Sequence, residues 1–258
     1  MSPDPFMASL AREALETGAW SLRLVPVAAL CPFLGGPLLP PAARAALALA
    51  VGAAARAGMG GHAFPARDPV ALVGTELALG TVLAVAASIP VEAARGAGRL
   101  VDTLRGATLG ELHVAPIRQR ETAVGDLLSW WTVAVGAWAG ADRLLVAALL
   151  ETYRAVPVGA ALDAPLHATR ALDAAASLLG SALLVGGPAA AAILAADLAL
   201  SVASRIAPRL ALGEAALAAR ATLGLLAVAV AGAAVGGRLA ELAAAAGGLV
   251  RAALGGAP

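Results

Sequence analysis

Lysine and asparagine are absent from this chain, cysteine occurs once, and aromatic residues make up only 3% of its 258 positions. Each scarcity excludes something. Cys31 alone can form neither an intramolecular disulfide nor a cysteine-based metal cluster. So few rings rule out a large aromatic core. Charge is also sparse, at 14% of residues against about 25% in soluble domains. The net charge of +1 projects no field toward nucleic acid or an acidic partner. Every basic residue is Arg, and the missing types are those with AT-rich codons, so the bias reflects a GC-rich genome rather than mechanism.

What remains is 60% hydrophobic, mostly Ala, Leu, Val and Gly. Long apolar runs parted by short polar stretches specify an all-α, polytopic membrane protein, read as a single domain over 1–258. The opening residues, MSPDPFMASLAREALETGAW, are acidic ahead of the first apolar run, which argues against a cleaved signal peptide. Candidate spans fall near 20–36, 42–60, 70–91, 123–141, 143–160, 174–200 and 215–237.

None of these spans is clean. Arg23 and Pro26 enter the first, Arg44 and Arg56 bracket the second, and Glu76 lies in the third. Asp126, Asp142 and Arg143 interrupt the next two, Gly186-Gly187-Pro188 breaks the sixth, and Arg220 lies in the seventh. An Arg or Asp at a helix centre costs roughly 2.5–3.5 kcal/mol on insertion scales. Ala and Gly offset little of that, but they let helix backbones approach closely. The expectation is a set of broken, Ala/Gly-rich helices and hairpins that pack on protein rather than on lipid.

Three polar stretches carry the remaining information. In AADLALSVASRIAPRLALGE, Asp197, Ser201, Ser204 and Arg205 share one helical face and Pro208 stops the helix. Such a strip serves a helix end at the water interface, a protein partner or a water-filled path. In the stretch 90–121, Glu92, Arg95, Arg99 and Asp102 follow a spacing that allows a charge ladder on an amphipathic helix ending at Gly106, with a loop beyond. In the stretch 23–49, five prolines and Gly35-Gly36 forbid one continuous helix.

Enzyme readings find no support in the residues. His62, His113 and His167 lie in unrelated stretches without metal-ligand spacing, and no phosphate-cradling Gly loop occurs. Asp197 has no matching second Asp for an intramembrane protease, and Cys31 sits among apolar neighbours as a small core residue. The expectation is a non-enzyme without cofactor or metal.

Taken in order, these stretches resemble one family, the export-apparatus proteins of type III secretion, comprising the SctT (YscT, SpaR) type and flagellar FliR. Arg23, Pro32, Pro40-Pro41 and Arg44 follow its N-terminal pattern, and Glu76 to Gly80 its Glu-x-x-x-Gly span. Gly98, Val101, Asp102, Arg105, Gly106 and Ala107 match its G-x-x-I-D-x-x-R-G-A pattern. Thr152, Tyr153 and Pro157 match a Ser-Tyr-x-x-x-Pro segment, and Asp197, Leu198, Leu200, Arg205, Pro208 and Leu210 a D-L-x-L-x-x-x-x-R-x-x-P-Q-L segment. Two departures stand out: Arg209-Leu210-Ala211 replaces the usual Gln-Leu-Asn, and Thr103-Leu104 replaces Asn-Gln before Arg-Gly.

The resemblance implies a multi-pass subunit of the bacterial inner membrane, part of an export gate through which unfolded proteins pass. It implies SctR- and SctS-type subunits as partners, SctU- and SctV-type subunits as further ones, and no nucleic acid. It assigns Arg23, Arg44, Glu76, Glu92, Arg99, Asp102, Arg105, Gly106, Pro157, Asp197, Arg205 and Pro208 to subunit interface or pore. It assigns the loop from Gly106 through Gly110, Pro116, Arg118 and Arg120 to a pore plug. The alternatives are a flagellar FliR-type subunit and a stand-alone small-molecule transporter using Glu76, Asp197 and Arg220.

Overall fold

The computed structural model describes residues 5–60, 68–106, 122–160, 164–206, 212–230 and 232–254. All regular structure among them is helical: α1 (Pro5–Leu22), α2 (Leu24–Leu30), α3 (Pro41–Gly58), α4 (Pro69–Leu104), α5 (Ala123–Ala139), α6 (Ala141–Ala155), α7 (Ala164–Ile206), α8 (Leu212–Val230) and α9 (Gly232–Leu254). Two short 3-10 turns, Pro32–Leu34 and Gly36–Leu38, join α2 to α3.

The starts follow local chemistry. Proline opens α1, α3 and α4, where its missing N–H is no loss. Asp68 precedes α4 and its side chain accepts the Val70 N–H at 3.1 Å, capping the first turn. The proline-rich stretch after Arg23 breaks as its composition requires, into α2 and the two turns. Arg44 stitches that region by donating to the Leu39 and Pro37 carbonyls at 2.7 and 3.0 Å.

Two expectations from sequence are corrected. Gly186-Gly187-Pro188 does not break a helix, because α7 runs through it. A Cβ on Gly186 would lie 3.0 Å from the Ala97 carbonyl oxygen, so this glycine marks a close helix crossing rather than an end. Likewise 70–91 and the charged stretch beyond it are one helix, α4, continuous across Pro90. Two helices, α1 from Pro5 and α9 from Gly232, lie mostly outside the expected spans.

The chain divides into two compact units. Unit 1 comprises 1–89, 140–175 and 244–258, and unit 2 comprises 90–139 and 176–243. In unit 1, α1 and α2 pack on α3. Its core joins Trp20, Leu24, Val27, Leu79, Leu83, Leu149 and Val250. Unit 2 packs Val101, Val124, Leu128, Val185, Ile193 and Leu239.

Among the described residues, two helices are long and apolar enough to cross a membrane: α4, and the Gly180–Ile206 part of α7. Two broken pairs, Ala123–Ala139 with Ala141–Ala155 and Ala221–Val230 with Val235–Leu254, raise this to four if each pair is one span. The protein is an all-α polytopic membrane protein, with fewer uninterrupted spans among the described residues than the seven apolar stretches suggest.

Cys31 sits between α2 and the first 3-10 turn with no exposure. Burial pushes its thiol up to about 11, against two lowering backbone hydrogen bonds from Phe33 and Leu34. From the ordinary value of 9.0, that shift lowers the thiolate fraction at neutral pH by about a hundredfold. Maleimide is therefore expected to leave the native protein in mild detergent unlabelled and to label it fully in SDS. Rapid labelling of the native protein would mean that this core region opens.

Candidate functional site

Arg23 occupies the junction between α1 and α2, and its side chain is wholly buried. An unpaired guanidinium there would be prohibitive, so the fold supplies partners from distant segments. Nε donates to Glu76 Oε2 at 2.9 Å and Nη2 to Oε1 at 3.3 Å, the two-pronged geometry that suits Arg and carboxylate. Nη1 donates to the Thr152 carbonyl at 3.1 Å and to its hydroxyl at 3.4 Å. The guanidinium carbon lies 4.4 Å from the Tyr153 ring centroid.

Glu76, on α4 and 2% exposed, also accepts the Gly159 N–H at 2.9 Å through Oε1. Tyr153 stacks on Trp20 at 5.2 Å between centroids and donates its hydroxyl to the Trp20 carbonyl at 2.6 Å. One turn along α4 from Glu76, Gly80 brings that helix against the Arg23 backbone, and a Cβ there would meet the Arg23 carbonyl oxygen at 2.2 Å. The three sequence signals Arg23, Glu76-to-Gly80 and Thr152-Tyr153 are thus one buried polar knot. It ties α1, α2, α4 and α6 together inside unit 1.

Unit 2 holds a second fastening at the end of α4. Asp102 is fully buried and bridges two partners: Oδ1 accepts Arg105 Nε at 2.5 Å, and Oδ2 accepts the Val124 N–H at 2.8 Å. The second bond satisfies one of the orphan donors in the first turn of α5, where a carboxylate also suits the helix dipole. Four residues before Asp102, Gly98 meets Gly125 backbone to backbone. Gly106, at φ 77°, ends the helix in the left-handed region that glycine favours.

Two links lie along the charged stretch of α4. Arg95 pairs with Glu92, while Asp102 turns toward Arg105 and α5. Arg99 is exposed at its residue level, and its aliphatic stem passes the Gly125 backbone. Pro157 is exposed in the turn after α6. On α7, Asp197 is half-buried, and Ser201, Ser204 and Arg205 are exposed together with Leu198, Val202 and Ile206. The last two turns of that helix therefore present apolar and polar groups side by side. Pro208 and the residues Gly110, Pro116, Arg118 and Arg120 lie outside the described residues.

The partners Thr152, Gly159 and Trp20 in unit 1, and Gly125 and Val124 in unit 2, were not identifiable as partners from sequence. Only the Tyr153 motif signalled any of them. Among the described residues, no three His, Cys, Asp or Glu side chains gather as metal ligands would.

A family model described as bacterial export proteins, family 1, matches residues 16–245. The secretion system apparatus protein SsaT of Salmonella typhimurium is 29% identical over 140 residues, 54% of each chain. The Yop proteins translocation protein T of Yersinia pestis is 29% identical over 143 residues, again 54% of each. The matched stretch spans about half the length of each of these curated relatives.

Proposed function

The chain belongs to the bacterial export proteins, family 1, and from that membership we propose that it is a non-enzymatic inner-membrane subunit of a type III export gate. It would share a conduit for unfolded proteins with SctR- and SctS-type subunits, beside SctU- and SctV-type ones. Both compact units would serve as one export-apparatus domain. The match over 16–245 carries this reading, and the similarity to the secretion system apparatus protein SsaT and to translocation protein T supports it.

The geometry supports a division of labour among the expected site residues. Arg23, Glu76 and Asp102 have their polar atoms bonded inside their own units, so their contribution is to hold the subunit's shape. The end of α7 suits a neighbour: Leu198, Val202 and Ile206 are exposed beside Asp197, Ser201, Ser204 and Arg205. Apolar groups at the centre of a face with polar ones beside them are the arrangement protein–protein interfaces use. The segment from Gly106 to Arg120 would supply the pore plug, with Gly110, Pro116, Arg118 and Arg120 in it. The transporter alternative is weaker, because both Glu76 oxygens already have donors.

Native mass spectrometry of the tagged chain, extracted from its own host in mild detergent, tests the reading. A fixed-stoichiometry complex with small hydrophobic subunits is expected. Asp197→Ala and Arg205→Ala should each weaken that complex by about 1–3 kcal/mol, roughly five- to 150-fold, and reduce secretion with it. Wild-type assembly and secretion from both variants would remove α7 from the interface. A chain that emerges alone would remove the gate reading itself.

A further inference from the structure

The chain has four tryptophans, and three of them, Trp130, Trp131 and Trp138, fall on α5. Trp131 turns inward and packs against the core of unit 2. Trp130 and Trp138 turn outward, 48% and 90% exposed, with Leu127 at 56% between the same bearings. At 100° per residue, Leu127, Ala134 and Trp138 fall within about 40° of one another and Trp130 about 60° to one side. The far side, Gly125, Leu128, Ser129, Thr132 and Gly136, is buried, and Val124 and the half-buried Trp131 mark the edge between the two faces. In a chain so poor in rings, two bare indoles on one face of one helix are a chemical signature. Indole combines an apolar body with one N–H donor, the combination favoured where hydrocarbon meets the headgroups.

Length decides how the helix meets that boundary. The uncharged run 127–139 measures about 20 Å, short of the roughly 30 Å of a hydrocarbon core. Charge stands at both of its ends: Asp126, partly exposed in the first turn of α5, and Asp142 and Arg143 just after the break at Gly140. Upright in the bilayer, one of these ends would be drawn below the interface. Lying along it, both charged ends stay in water and both indoles reach the same depth.

We propose that the outer face of α5 is a lipid contact lying along the headgroup–acyl boundary, anchored by Trp130 and Trp138. This contact requires a membrane but not the gate reading, so it stands or falls separately.

The test places the full chain, with the subunits that copurify with it, in nanodiscs of phosphatidylcholine brominated near the headgroup or near the bilayer centre. The expected result is stronger quenching of tryptophan emission by the shallow label. Trp130→Phe and Trp138→Phe should each remove a comparable part of that quenching, and the double substitution nearly all of it. Both side chains are exposed, so the variants are expected to retain wild-type circular dichroism. Quenching of Trp130 by the deep label and of Trp138 by the shallow one would overturn the proposal in favour of an upright α5. Absence of quenching in the complex would overturn it in favour of a protein partner on this face.

Discussion

Replacing Glu76 with alanine is expected to destabilise unit 1 by about 3–5 kcal/mol, the cost of removing one member of a buried ion pair. The change leaves the Arg23 guanidinium at 0% exposure without its carboxylate, and leaves the Gly159 N–H without its acceptor. With total stabilities of about 5–15 kcal/mol for folded domains, the loss should appear as a large fall in the midpoint of thermal unfolding in mild detergent. Glu76→Gln should fall between wild type and alanine, since its amide oxygen can still accept while the charge is gone. The double variant Arg23→Leu with Glu76→Leu should be more stable than Glu76→Ala alone, because it removes both charges and fills the space with hydrocarbon. A Glu76→Ala protein that melts with the wild type would mean that water, not the carboxylate, satisfies Arg23.

Much of this arrangement was legible in the sequence residue by residue, but not as an arrangement. Arg23 and Glu76 each stood out in an apolar setting, where an ionisable group demands a partner, and Tyr153 only through the resembled Ser-Tyr-x-x-x-Pro segment. Their partnership did not, because 53 residues separate Arg23 from Glu76 and 129 separate it from Thr152. No local periodicity encodes a contact at that range. The proline breaks after Arg23 were legible because proline acts on its own backbone. Pro188 misled for the complementary reason. Inside a packed bundle a proline can be carried through a helix when neighbours satisfy the freed groups, and Gly186 beside it was there for the crossing with Ala97. The helix α9 went unanticipated because its run of Ala and Gly, punctuated by Arg238, Glu241 and Arg251, is too weakly apolar to announce a span. It is held by burial of Val235, Leu239, Ala243 and Val250, each within its own unit.

Gly98→Ala and Gly74→Ala, the same substitution at two sites on one helix, are expected to have opposite signs. Nothing lies within 4 Å of a Cβ built on Gly74, so alanine there gains the helix preference it has over glycine, about 0.5–1 kcal/mol. At Gly98 the new methyl would sit 2.4 Å from the Gly125 nitrogen and 2.5 Å from its Cα. Those atoms are backbone, with no side chain to swing away, so α4 and α5 must separate, at a cost of roughly 1–3 kcal/mol or more. Separation also stretches the 2.8 Å bond from the Val124 N–H to Asp102, which depends on the same spacing. Asp102→Ala breaks that bond directly and leaves Arg105 without the acceptor it holds at 2.5 Å. Gly98→Ala and Asp102→Ala therefore attack one fastening from two sides. Their combination should cost little more than the worse of the two, a non-additivity that residues in contact display. Thermal midpoints of the two single variants and the double decide it. A fully additive loss would mean that the glycine crossing and the carboxylate cap hold α5 independently, each with its own contribution.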